Sequence, residues 1–146
     1  AETPGMANAR YVGTDANNRP FLVTANQATQ EPGSPDLIEM VALQADMTLD
    51  NGVWMSVMAS SGRYDRARQT LQLAGPVNIF SDIGYEFHAE TAHIDLQNSI
   101  AESDAPVQGH GPFGTLRADS FLVVDQGKRL LFRDNVRMTI RPHGDG

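Results

Sequence analysis

The 146-residue chain has no cysteine, which excludes disulfides, thiolate metal sites and cysteine nucleophiles. It has no apolar run near the roughly 20 residues that cross a bilayer, and no charged-then-apolar secretion signal at its start. The opening Ala1-Glu2-Thr3-Pro4-Gly5 lacks a methionine and reads as a processed or shortened end. Basic residues are scarce, 11 Lys and Arg against 18 Asp and Glu, for a net charge of −7. A nucleic-acid binder carries a basic stripe and this chain has none, so no nucleic-acid partner is expected. Its only local basic cluster, Arg63, Arg66 and Arg68, reads as a solvated turn. What remains is 40% hydrophobic and 20% charged, the balance and length of one folded domain with one core.

A repeat organises that domain. Ala59, Ala89 and Ala118 are each followed, 18 residues on, by Val77, Val107 and Val136. Apolar residues also recur five places after each alanine, at Tyr64, Ile94 and Val123. Leu71 and Leu130 share a later position, as do Leu73 and Phe132. A period near 30 residues indicates a copied supersecondary unit, here a pair of short strands. Period-two alternation agrees, through Phe21, Val23 and Ala25, through Met55, Val57 and Ala59, and through Tyr85, Phe87 and Ala89. Val41, Leu43, Ala45 and Met47 are read as one more strand of a single parity. Asp50-Asn51-Gly52, Asp82-Ile83-Gly84 and Asp125-Gln126-Gly127 are expected turns, and Glu31-Pro32-Gly33-Ser34-Pro35 a mobile loop. The expected fold is all-β, a single twisted open jelly roll of stacked antiparallel hairpins. The domain is expected over residues 7–141, with loose ends at 1–6 and 142–146.

Catalytic signals are weak. Glu86, His88 and Glu90 share one strand face, and His93 and Asp95 sit nearby, yet no zinc-type spacing appears. The acidic residues concentrate in turns, and no Gly-x-Ser-x-Gly elbow exists. His110 lies in a glycine-rich stretch, Gly109–Gly114, read as a flexible connection. The chain is therefore expected to be no enzyme and to have no cofactor and no metal site. The inward parity gathers Val23, Met55, Val57, Ala59, Tyr64, Leu71, Leu73, Val77, Tyr85, Phe87, Ala89, Ile94, Val107, Leu116, Ala118, Phe121, Val123, Phe132, Val136 and Met138. That wall is either a closed core or a groove for acyl chains. Trp54 and Phe80 are expected outside.

Several segments, taken in order and spacing, carry a family resemblance. They are Met6-Ala7-Asn8-Ala9-Arg10-Tyr11-Val12-Gly13-Thr14-Asp15, Arg19–Ala25, Ala59-Ser60-Ser61-Gly62-Arg63-Tyr64-Asp65 and Leu71–Val77. Thr91–Leu96, Ser103–Val107, Gly114–Ala118 and Phe132–Val136 complete the series. Together they resemble the LptC family of periplasmic lipopolysaccharide-export components, in the OstA-like group that includes LptA. The resemblance implies a jelly roll open at both ends, whose interior holds lipid A acyl chains without catalysis. It implies an inner-membrane anchor helix preceding the domain and absent from this chain. It also implies an N-terminal edge, near Tyr11 and Phe21, facing the inner-membrane lipopolysaccharide ABC transporter. A C-terminal edge at Val136, Met138 and Ile140 would pair with LptA by strand addition, and such edges also permit self-association. An LptA-like soluble bridge protein and a purely structural β-repeat module are the alternatives. With so few basic residues, lipid binding would rest on acyl burial, the phosphates staying in solvent or bridged by cations.

Overall fold

A computed structural model describes residues 5–49, 52–125 and 129–140, and among them every regular element is a strand. The strands are β1 (Gly5–Thr14), β2 (Pro20–Glu31), β3 (Ser34–Thr48), β4 (Trp54–Asp65), β5 (Thr70–Ser81), β6 (Glu86–Asp95), β7 (Ile100–Ser103), β8 (Val107–Gly111), β9 (Gly114–Ala118), β10 (Ser120–Val124), β11 (Arg129–Arg133) and β12 (Arg137–Ile140). All pairings are antiparallel, and β1 to β6 follow one another as a simple meander. At β6 the sheet divides. Glu86–Ala89 pair with β8, which leads to β9 and β12, while His93–Asp95 pair with β7, which leads to β10 and β11.

A crease runs across all of these strands. The chain reaches positive φ at Asn8 in β1 and Ala42 in β3, and the β4–β5 register shifts between Ala59 and Ser61. In β5 the extra residues are Gly75 and Pro76, between Ala74 and Val77. Further along, the same line falls between β7 and β8, at Asp119 between β9 and β10, and at Asp134 and Asn135 between β11 and β12. A single extra residue bends its strand and inverts its alternation, while the two in β5 leave its parity unchanged. In β3 the buried residues switch from Ile38 and Met40 to Leu43, Ala45 and Met47. Val41 and Ala42 at the switch are exposed. The single parity expected for Val41 to Met47 is thus corrected at its first member.

The crease folds the sheet onto itself. The turn between β1 and β2 donates the Ala16 N–H to the Gln97 carbonyl, in the turn between β6 and β7, at 2.8 Å. In a flat sheet, strands five places apart would lie about 24 Å from each other. Tyr11 on β1 likewise meets Tyr64 on β4, with ring centroids 5.5 Å apart, and Phe87 on β6 meets Phe132 on β11 at 5.8 Å. One buried cluster consequently joins both halves, from Ala9 to Val123. This is the all-β jelly roll of stacked hairpins read from the sequence.

The 18-residue repeat has a direct structural meaning. Cross-strand partners run Ala9, Ala25, Leu43, Ala59, Val77, Ala89, Val107 and Ala118 in one unbroken row beside the crease. Small side chains suit the inside of a fold line, where the two halves approach most closely. The hairpin turns repeat as well. Asp65 accepts the Arg68 N–H, and Asp95, thirty residues later, accepts those of Gln97 and Asn98. Both turns close through a residue at positive φ, Gln69 and Ser99.

Other expectations change. Residues 31–35 form a tight hairpin turn with Gly33 at φ 76°, so they are no mobile loop. Gly5 and Met6 pair with Thr29 and Ala28, so the expected loose start at 1–6 is ordered from Gly5. Arg63 stands within β4, in ion pairs with Glu31 (2.7 Å) and Glu39 (3.0 Å), rather than in a turn. The Gly109–Gly114 stretch is no flexible connection either: it closes the β8–β9 hairpin. Gly109 is there because the edge of the Phe87 ring packs against it, and a Cβ would clash with the ring's Cδ1. Gly109→Ala is expected to destabilise the domain by about 1–3 kcal/mol through overpacking. Adding Phe87→Leu should recover part of that loss. Urea unfolding of the two single variants and the double measures the coupling.

Candidate functional site

The inner wall is the candidate site, and alternation along each strand builds it. On one side of the crease it presents Val23, Ala45, Val57, Ile79, Phe87 and Leu116, and on the other Ile38, Tyr64, Leu71, Ile94, Ala101 and Val123. Ala59, Leu73, Val77, Ala89, Val107, Ala118 and Phe121 are buried among them, and Met55, Tyr85 and Phe132 are partly buried against the same cluster. Burial pushes the Tyr64 phenol above its usual pKa, so this inward hydroxyl stays neutral.

Two residues expected on this wall have its parity but are not buried. Val136 is 47% exposed and Met138 52% exposed. Val136 continues the corner row in register, but the row ends there because nothing of the described chain covers the far side of β12. Leu130, which matches buried Leu71 in the repeat, is also exposed at the rim. Among the expected edge residues, Phe21 is corrected too. It is buried on β2, which pairs on both sides with β1 and β3. Tyr11 does lie on an edge strand, although its ring turns inward to Tyr64. Val136, Met138 and Ile140 are exposed at the β12 edge, while Arg141 lies outside the described residues.

The wall ends in an apolar mouth. Leu49, Val53, Met55, Ile79, Ile83, Tyr85 and Phe87 from one half face Leu130 from the other. Tyr85 stacks on Phe87 at 6.3 Å and tilts against Phe113 at 5.7 Å, so an aromatic cluster floors this opening. Its cavity measures about 50 Å³, whereas a dry pocket of roughly 150 Å³ is needed to take benzene. The mouth is therefore almost filled by its own side chains. A second recess of about 190 Å³ lies at the opposite end, beside Met6, Tyr11 and Ala28. Alternation alone could not identify the mouth, because Leu49, Val53 and Ile83 belong to turns. Their signal was apolar residues in otherwise polar turn sequences.

Burial separates wall from rim. Phe87→Ala should cost about 3–5 kcal/mol by leaving a cavity. Leu130→Ala, at an exposed rim, should cost no more than about 1 kcal/mol. Chemical denaturation of both variants checks the contrast.

Comparison with known proteins follows the same lines. The family model described as "Lipopolysaccharide-assembly, LptC-related" matches residues 5–141. No curated protein sequence matches. Among solved structures, the chain is similar to LptH of Pseudomonas aeruginosa, described as the LptA-homologous periplasmic component of the lipopolysaccharide transport device. Identity is 12%, the TM-score is 0.49, and the match covers 97% of this chain and 96% of that one.

Proposed function

The chain belongs to the LptC-related family of lipopolysaccharide-assembly proteins, and from that premise we propose that it binds lipopolysaccharide in the periplasm and passes it along the export bridge. The family is one of transport components rather than enzymes. In this reading the acyl chains enter the seam at the mouth bounded by Leu130, Ile83 and Phe87. They then replace side-chain contacts between the two halves. The lipid would arrive from the inner-membrane ABC transporter at the β1 edge and leave toward LptA at the β12 edge. Tyr11 marks the first edge, and Met138 and Ile140 the second.

The observation that carries this reading is a continuous apolar wall that ends in an apolar mouth and lies between unpaired strand edges. Each methylene withdrawn from water contributes about 0.8 kcal/mol, so acyl burial can offset the parting of the halves. The net charge of −7 gives the lipid phosphates no general attraction. That leaves acyl burial as the driving force.

Site-specific photocrosslinking tests the proposal in cells that export lipopolysaccharide. A photoreactive residue at inward Phe87 or at rim Leu130 should crosslink to the lipid. The same residue at outward Gln72 or Arg117 should not. Equal yields from both faces would overturn the seam as the binding site.

A further inference from the structure

The outer face of the sheet carries an arrangement that the inner wall does not use. Glu86 and His88 are two residues apart on β6 and so point the same way, and His110 on β8 stands directly opposite Glu86. One ligand atom from each lies within 4.8 Å of the others. His110 Nε2 is 2.6 Å from Glu86 Oε2, and His88 Nε2 is 3.5 Å from Glu86 Oε1. Zinc–nitrogen bonds of about 2.0–2.1 Å place tetrahedral ligand atoms about 3.3 Å apart. Side-chain rotation alone spans the difference, since all three groups reach solvent.

The His88 ring is already held as a ligand would be. Asn78 sits opposite His88 in the β5–β6 register, and its amide oxygen bonds His88 Nδ1. An amide oxygen only accepts, so Nδ1 is the donor in this bond and Nε2 is the ring nitrogen turned toward Glu86. Such a bond on the far ring nitrogen fixes the tautomer and direction of metal-binding histidines. Phe80 holds the same ring edge-on at 6.3 Å. On the open side, His88 and His110 border a surface depression of about 370 Å³ that also contains Arg117 and Arg137.

We propose that Glu86, His88 and His110 form a binding site for a borderline divalent transition-metal ion such as zinc. Two imidazoles and a carboxylate make a donor set suited to that class of ion. The remaining coordination position faces the depression and takes water or an anionic oxygen, which the two arginines favour. Such an ion ties β6 to β8 where the sheet divides. The expectation of no metal, drawn from sequence, considered His88 with His93. His93 instead bonds Gln72 at 2.8 Å, and the partner comes from β8.

The test uses tag-free protein titrated with zinc by calorimetry and with cobalt(II) by visible absorption. One equivalent of cobalt should give the intense bands of a tetrahedral site. His88→Gln and His110→Gln should each abolish them, and His93→Gln should leave them intact. Asn78→Ala should weaken zinc about 10- to 100-fold. Zinc binding that persists in the His88→Gln/His110→Gln double variant overturns the site. So does wild-type protein that binds no zinc below millimolar concentration.

Discussion

A line of inserted residues across the sheet, one in most strands and two in β5, governs this molecule. Without it, a meander of strands up to 15 residues long would form a broad twisted sheet with one apolar face in water. With it, strands such as β2, β3, β4 and β6 bend and invert their alternation, and the apolar face closes against itself. The row beside the bend must then be small, which accounts for its alanines and valines. The chain breaks of the C-terminal half fall on the same line, so β7 to β12 are short where β2 to β5 are long. Folding one sheet also leaves its outer strands with a free edge, because no pairing among the described residues joins β1 to β11 or β12.

Much of this was legible in the sequence. The repeat marked the stacked hairpins and the inward side of most strands, since cross-strand partners in a meander recur at regular sums of residue number. Even the bend was present in the pattern. Tyr64, Ile94 and Val123 follow their alanines by five, an odd number, which period-two alternation cannot produce without one inserted residue per strand. What the sequence hid depends on the ends of the roll. Val136 and Met138 have the inward parity, yet inward means buried only where an opposing half exists. Phe21 sits near the N-terminus in sequence, but edge position follows from pairing, and β1 begins early enough to cover β2.

A filled mouth and the proposed lipid-carrying role are reconciled by unequal stability around the roll. The wall between β2 and β6 is held by long ladders on both sides, and its side chains are almost wholly buried. By contrast β11 pairs with β10 alone, and none of its five residues is fully buried. Local opening takes the route with the fewest buried apolar contacts, so the halves separate first where Phe132 meets Phe87 and Leu130 covers the mouth. In the proposed reading, the rim is also where an incoming acyl chain would first find apolar surface. Opening and loading would then be one step, with apolar contacts exchanged rather than exposed to water.

Alternation ties the two faces of β6 together. Glu86 and His88 point outward while Phe87 between them points inward, and opposite them His110 points outward while Gly109 packs against the edge of the Phe87 ring. Any cross-link between Glu86 and His110 on the outside therefore fixes the backbone spacing that seats Phe87 on the inside. A metal ion bound there would stiffen the floor of the mouth without occupying it. The opposing strand, β11, would keep its freedom to move. Loading would then depend on one hinged side closing against one rigid side. The branch at β6, where one strand serves two continuations of the sheet, is the position from which outer-face chemistry reaches the apolar wall.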